Sequence, residues 1–241
     1  MSPSATIPLI SVRSLRYAWS AASDELAFED FEVEPRERLF LHGPSGSGKS
    51  TLLGLLAGVL APSSGDVSVL GTSFASLRAS ARDRFRANHL GYVFQQFNLL
   101  PFLTPVENVL LGCAWSGDRS RRAGATRTAM TDEATRLLGA LGLDDGVWSR
   151  ARTGELSVGQ QQRVAAARAL IGGPVLLLAD EPTSALDATS RDAFLTLLLD
   201  ECARHGTGVV FVSHDLAIAH HFDRSVALGN AAMGGAVNAT A

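Results

Sequence analysis

The chain has 241 residues, of which 46% are apolar and 19% charged, a balance that fits a folded globular protein and excludes a disordered or fibrous class. A formal net charge of −3 gives no overall attraction to nucleic acid or anionic lipid. Two cysteines, Cys113 and Cys202, stand far apart without a C-x-x-C spacing or a nearby histidine pair. This excludes a disulfide framework or a zinc site and leaves two buried thiols as the expectation.

The N-terminus lacks a positive start followed by an apolar stretch, and no run approaches the roughly 18 apolar residues of a spanning helix. The chain is therefore expected to be neither exported nor membrane-spanning. Leu39-Phe40-Leu41, ending at Gly43, reads as a strand, and Leu52, Leu55, Leu56 and Val59 then recur at helical spacing. Pro62-Ser63-Ser64-Gly65 breaks that helix, and Val67, Val69 and Gly71 mark a short strand and its turn. From Val106, the positions Val109, Leu110 and Cys113 keep a helical period. Ala134, Leu137, Leu138 and Leu141 resume it after a polar stretch. That stretch, Ser116 to Thr128, carries Arg119, Arg121, Arg122 and Arg127 without aromatics interleaved for base stacking, and reads as a solvated loop. In the last third, a helix through Val164 and Leu170 precedes the run from Val175 to Leu178. A helix through Leu195 and Leu199 then precedes the run from Val209 to Val212. Continuous apolar strands alternating with helices imply a parallel sheet covered on both faces, an α/β class. The tail from Gly229 to Ala241 carries no charge and is expected to fray.

Gly43-Pro44-Ser45-Gly46-Ser47-Gly48-Lys49-Ser50 has the form of a phosphate-binding loop and lies, as such a loop must, between a strand and a helix. Its glycines let backbone N–H groups turn toward phosphate oxygens, and the helix adds the positive end of its dipole. Lys49 suits the β- and γ-phosphates, and the Ser50 hydroxyl suits Mg²⁺. Asp180-Glu181 ends an apolar strand, at the carboxyl end of a buried sheet, where α/β folds bind ligands. Asp180 suits the metal, and Glu181 suits polarisation of a water attacking the γ-phosphate. These two elements alone would serve a GTPase, a small-molecule kinase or a recombinase-type ATPase equally well.

A third element separates them. Leu156-Ser157-Val158-Gly159-Gln160-Gln161-Gln162-Arg163 precedes a helix and the acidic strand, and here the chain resembles the ABC ATPase family. The usual signature there is LSGGQ; Val158 departs from it, while Ser157 and Gly159 keep the groups that meet phosphate. Read without the family, Ser157 can cap the helix and offer its hydroxyl and free N–H groups to an anion. Val93-Phe94-Gln95 stands where the family has its Q-loop, Ser184-Ala185-Leu186-Asp187 where it has its D-loop, and Val212-Ser213-His214-Asp215 where it has its switch histidine.

The resemblance implies a P-loop NTPase (RecA-like) core with an N-terminal β subdomain and an inserted α-helical subdomain. It implies a core over about 7–95 and 169–228, a helical signature subdomain over 96–168 and a flexible tail over 229–241. It implies ATP as the nucleotide, bound by Gly43 to Thr51, with Glu181, Gln95 and His214 catalytic and Ser50, Gln95 and Asp180 on Mg²⁺. Tyr17 is placed where the family stacks an aromatic ring on adenine, with Trp19 as a rival. In the family two subunits face head to tail, so Ser157, Val158, Gly159, Gln160 and Asp187 would reach the nucleotide of the second chain. The segment from Leu90 to Val109 is similar to ATPases of lipoprotein-release and macrolide-export systems. That similarity implies a separate permease, a peripheral place on the cytoplasmic face of the cell membrane, and no direct binding of nucleic acid. A regulatory relative of divisome type and a soluble ATPase acting on nucleic acid or the ribosome are the other readings. The apolar set Phe97, Leu99, Leu100, Phe102 and Leu103 is expected to mark the permease contact.

Overall fold

The computed structural model describes residues 7–20, 25–148, 151–229 and, in backbone only, 239–240. The first strands are β1 (Ile10–Tyr17), β2 (Leu26–Ala27), β3 (Phe31–Val33) and β4 (Arg38–His42), followed by helix α1 (Lys49–Leu56). Then come β5 (Ser64–Val69), β6 (Thr72–Ser73), α2 (Ala79–His89) and β7 (Leu90–Val93). A helical run follows, α3 (Pro105–Leu110), α4 (Gly117–Arg122), α5 (Arg127–Ala140), α6 (Asp145–Trp148) and α7 (Val158–Leu170). The chain then passes through β8 (Leu176–Asp180), α8 (Ala188–His205), β9 (Gly208–Val212), β10 (Arg224–Ala227) and β11 (Ala239–Thr240).

Two sheets result. β1 pairs antiparallel with β2, β3 and β5, and β6 extends β5, in a five-stranded sheet. The second sheet has the order β11-β10-β4-β9-β8-β7 and is parallel except for β11. Its central strands are apolar throughout because alternate side chains feed two cores. Leu39, Leu41, Leu176, Leu178, Val210 and Val212 pack with α1 and the antiparallel sheet. Phe40, Leu177, Ala179 and Phe211 point the other way, toward α7 and α8. The expected α/β class and parallel sheet are therefore what the chain forms, and both cysteines are buried free thiols.

Four local expectations need correction or completion. Helix α1 ends at Leu56; Gly58 turns the chain with φ +64, which leaves Val59 64% exposed outside the helix. Helix α2 lacks an apolar signal because none of its residues is buried. Of the tail, residues 230–238 and 241 lie outside the described residues, and Ala239–Thr240 pairs antiparallel with β10. The stretch Ser116 to Thr128 is not a solvated loop. Ser116 caps α4 by accepting from Arg119 N, and Arg119 itself is only 4% exposed.

The reason lies at the end of α7, where the last carbonyls have no partner within the helix. Arg119 donates to Ala169 O at 2.7 Å, to Ile171 O at 2.9 Å and to Leu90 O at 3.1 Å, and Arg122 donates to Gly172 O at 2.7 Å. Burial pulls the Arg119 guanidinium down to about 10, yet five N–H donors in one plane suit three converging carbonyls. Arg119→Met keeps the aliphatic stem but leaves those carbonyls without donors, and is expected to lower stability by about 2–4 kcal/mol. Urea unfolding measures it; an unchanged midpoint would contradict this account of the α4 arginine.

Candidate functional site: a phosphate-loop cleft

Pairing within the parallel sheet gathers the site. Leu41 of β4 and Asp180 of β8 both lie opposite Val212 of β9, and Val93 of β7 lies opposite Ala179. The loops that leave these four strands therefore emerge at one edge. They carry Gly43 to Ser50, Glu181, His214 and Gln95. Between them opens a cleft of about 770 Å³, well within the size range of small-molecule sites. Lys49, Ser50, Gln95, Glu181 and His214 line it, with Ser45, Gly46, Gly48 and Thr51 of the loop.

Gly48 is the N-cap of α1 in the left-handed region, φ +86, a conformation that costs a residue with a Cβ. That turn aims the N–H groups of the first turn of α1 at the cleft, and no acidic side chain of α1 competes for them. Lys49 is the only lysine among the 21 lysines and arginines of the chain. Its ammonium, 8% exposed, donates to Gly43 O and Pro44 O, both at 2.9 Å, so the loop's own carbonyls hold it at the cleft. A compact three-donor ammonium suits a crowded loop better than a planar guanidinium. Ser47 is buried beneath, and its hydroxyl has no partner among the described residues.

Asp180 is 9% exposed and accepts from Ser50 Oγ at 3.2 Å. Burial, and then the like charge of Glu181, push the Asp180 carboxyl above its usual range, so a cation between Asp180 and Ser50 would relieve it. Two hard oxygen donors facing the phosphate loop are a donor set that fits Mg²⁺. Glu181 sits at φ +43 and donates its N–H to Val212 O at 2.9 Å. Its carboxylate lies 4.0 Å from Lys49 Nζ through Oε1 and 3.1 Å from His214 Nδ1 through Oε2.

Not every candidate residue reaches the cleft. Tyr17 is 8% exposed and packs in the antiparallel-sheet core, with Trp19 edge-on over it at a centroid distance of 5.1 Å. Trp19 is 66% exposed and lines the cleft, so the ring turned toward the cleft is Trp19 and not Tyr17. Ser157, Val158, Gly159 and Gln160 start α7 away from this cleft. Ser157 Oγ accepts from Gln160 N at 3.3 Å, and Gln160 Oε1 accepts from Ser157 N at 2.9 Å. The side chain of Gln160 is thus engaged in a capping box. Asp187 is exposed and caps α8 through Ser190 N at 3.0 Å. A Cβ at Gly159 would stand 3.5 Å from Leu186 Cδ2, so the segments around Ser157 and Asp187 are neighbours on one face. The chain also has two supports the sequence did not announce. Leu26 adds an apolar wall to the cleft, and Arg191 of α8 pairs with Asp215, which holds the His214 loop.

Next to the cleft, beyond the Gln95 turn, runs a groove of about 370 Å³ lined in part by Phe94, Leu100 and Trp115. Leu100 is 38% and Trp115 77% exposed, and Phe102 nearby in the chain is 64% exposed. Phe97 does not belong to this surface. It is 9% exposed and packs in the core of the helical region, as does the partly buried Leu99.

A family model described as ABC transporter matches residues 29–184. The lipoprotein-releasing system ATP-binding protein LolD 2 of Rhodospirillum rubrum is 42% identical over 226 residues, covering 92% of this chain and 94% of that protein. The macrolide export ATP-binding/permease protein MacB of Rhodopirellula baltica is 41% identical over 194 residues, 80% of this chain but only 27% of that protein. Among solved structures, the dimeric post-hydrolysis state of the ATP-binding cassette MJ0796 bound to ADP and Pi matches with a TM-score of 0.82 at 29% identity. It covers 95% of this chain and 98% of that one. A family model spanning well over half the chain, a relative matched almost end to end and a shared fold give one answer: the chain belongs to the ABC transporter family, as its ATP-binding ATPase cassette.

Proposed function

We propose that the cleft binds ATP with its base against Trp19 and its phosphates in the loop of Gly43 to Thr51, and that ATP closes two copies of the chain head to tail. The phosphates would draw Lys49 off the Gly43 and Pro44 carbonyls, and the N–H groups of α1 would receive the remaining charge. Ser50, Asp180 and Gln95 would hold Mg²⁺, which supplies charge neutralisation along the phosphates. Glu181 polarises the attacking water, and His214, hydrogen-bonded to it, fixes its direction. Ser157 to Gly159 and Asp187 face outward on one surface, as residues serving the nucleotide of a second copy would; Gln160 stabilises that surface through its capping box. Hydrolysis then removes the bridging charge, and the pair reopens.

The observation that carries the transport reading is the position of Gln95. It lies between the ATP cleft and the exposed groove of Phe94, Leu100 and Trp115, so a permease seated in that groove would feel the γ-phosphate site through one turn. The similarity to LolD 2 and MacB favours export or lipoprotein release, with the chain peripheral on the cytoplasmic face of the cell membrane and no direct contact with nucleic acid. Co-expression with a permease of the lipoprotein-release or macrolide-export type tests this. The two should co-purify, and ATP turnover should rise when the complex is placed in vesicles; a subunit that never retains a membrane protein would refute the reading.

The base contact has its own test. Trp19→Ala is expected to weaken ATP binding about tenfold through the lost stacking area, without lowering the melting temperature, since the ring is exposed. Tyr17→Leu should reduce stability more than affinity. Titration with a fluorescent ATP analogue distinguishes them; unchanged affinity in Trp19→Ala would return the base to Tyr17.

A further inference from the structure

Helix α7 has a second contact that no motif announces. Near its C-terminal end, Arg168 donates to Asn98 O at 2.6 Å and to Phe97 O at 2.5 Å. Phe97 and Asn98, just after Gln95, are consecutive non-glycine residues in the left-handed region, φ +56 and +49. For a bulky residue such as Phe that is a strained state, which persists only where the surroundings enforce it. Three features enforce it. The Phe97 ring is buried in the helical core, Asn98 N donates to Gln96 O at 2.6 Å, and the Arg168 fork binds both carbonyls.

The helix end that carries Arg168 is itself fixed. A Cβ on Gly91 of β7 would fall 2.4 Å from Ala169 O, and one on Gly112 would fall 2.2 Å from Arg168 O. Both contacts require glycine; the first seats the helix end on the strand that leads to Gln95, and the second seats it on the turn that follows α3. Thirteen residues at 1.5 Å each make α7 roughly 20 Å long, and Ser157 caps its far end. Arg168 also lines the exposed groove.

We propose that Arg168 is a positioning residue that clamps the turn after Gln95 to the end of α7, so that a partner in the groove and a phosphate at Ser157 act on a single rigid element. The proposal rests on the reading of Ser157 and the groove given above, but the clamp can be tested without it. Hydrogen exchange of the full chain without nucleotide is compared for the wild type, Arg168→Met, which keeps the stem and removes the donors, and Arg168→Lys, which keeps a donor. In Arg168→Met, amides of residues 94–100 and the first backbone-bonded amides of α7, Gln161 to Val164, should both exchange about fivefold faster or more, with β8 and α8 unchanged. Arg168→Lys should recover at least part of the protection. A rise confined to 94–100, a rise across the whole chain, or no recovery in Arg168→Lys overturns the clamp. In a Glu181→Gln background, Arg168→Met should also raise the ATP concentration needed for dimerisation about tenfold while fluorescent-ATP affinity of the monomer holds. Equal ATP requirements in the two proteins would contradict the coupling. A Glu181→Gln parent that stays monomeric would refute the two-chain reading instead, and the exchange data would still decide the role of Arg168.

Discussion

Glu181→Gln is expected to cut ATP turnover by roughly 100-fold or more while leaving ATP affinity within about threefold. The amide fits the same space beside His214 Nδ1 and Lys49 Nζ, but it cannot accept a proton from water. Lys49→Ala should do the reverse. It removes the ammonium that Gly43 O and Pro44 O hold at the loop, so binding itself should fail. Single-turnover hydrolysis with saturating ATP, together with equilibrium binding, separates the two losses. Equal turnover in wild type and Glu181→Gln would remove Glu181 from the reaction.

The second large effect concerns the fold. Phe97→Asp places an unpaired carboxylate in the core among α3, α5 and α7 and should cost about 3 kcal/mol or more, enough to unfold a marginal domain. Leu100→Asp, at a groove-lining side chain 38% exposed, should leave thermal melting and basal ATP turnover near the parent's and abolish co-purification with the membrane protein. The pair thus divides an apolar segment that reads as one surface in sequence. A stable, partner-binding Leu100→Asp variant would count against the groove as the docking site.

Much of the architecture is legible in sequence because the parallel strands are buried on both faces and read as unbroken apolar runs. The phosphate loop is legible because its spacing follows from phosphate geometry and its place between β4 and α1 can be read locally. Other features depend on residues distant in the chain. Arg119 looks solvated until Ala169 and Ile171 are seen to end α7 beside it. Phe97 looks like its exposed neighbours because helical or strand periodicity does not apply to a left-handed turn. Tyr17 ends β1 and Trp19 lies in the bend just beyond it, and only packing decides which ring the cleft meets. Helix α2 has no fully buried residue and packs only the half-buried Phe85 against the core, so hydrophobic spacing has no purchase on it.

Light scattering of the Glu181→Gln protein with and without ATP tests most directly whether one nucleotide is shared by two chains. The mass should double on adding ATP, and Ser157→Arg in the same background should hold it at the monomer value, because the bulky cation disrupts the face proposed to meet phosphate. A mass that stays monomeric at every ATP concentration, or a Ser157→Arg variant that dimerises like its parent, would contradict the account.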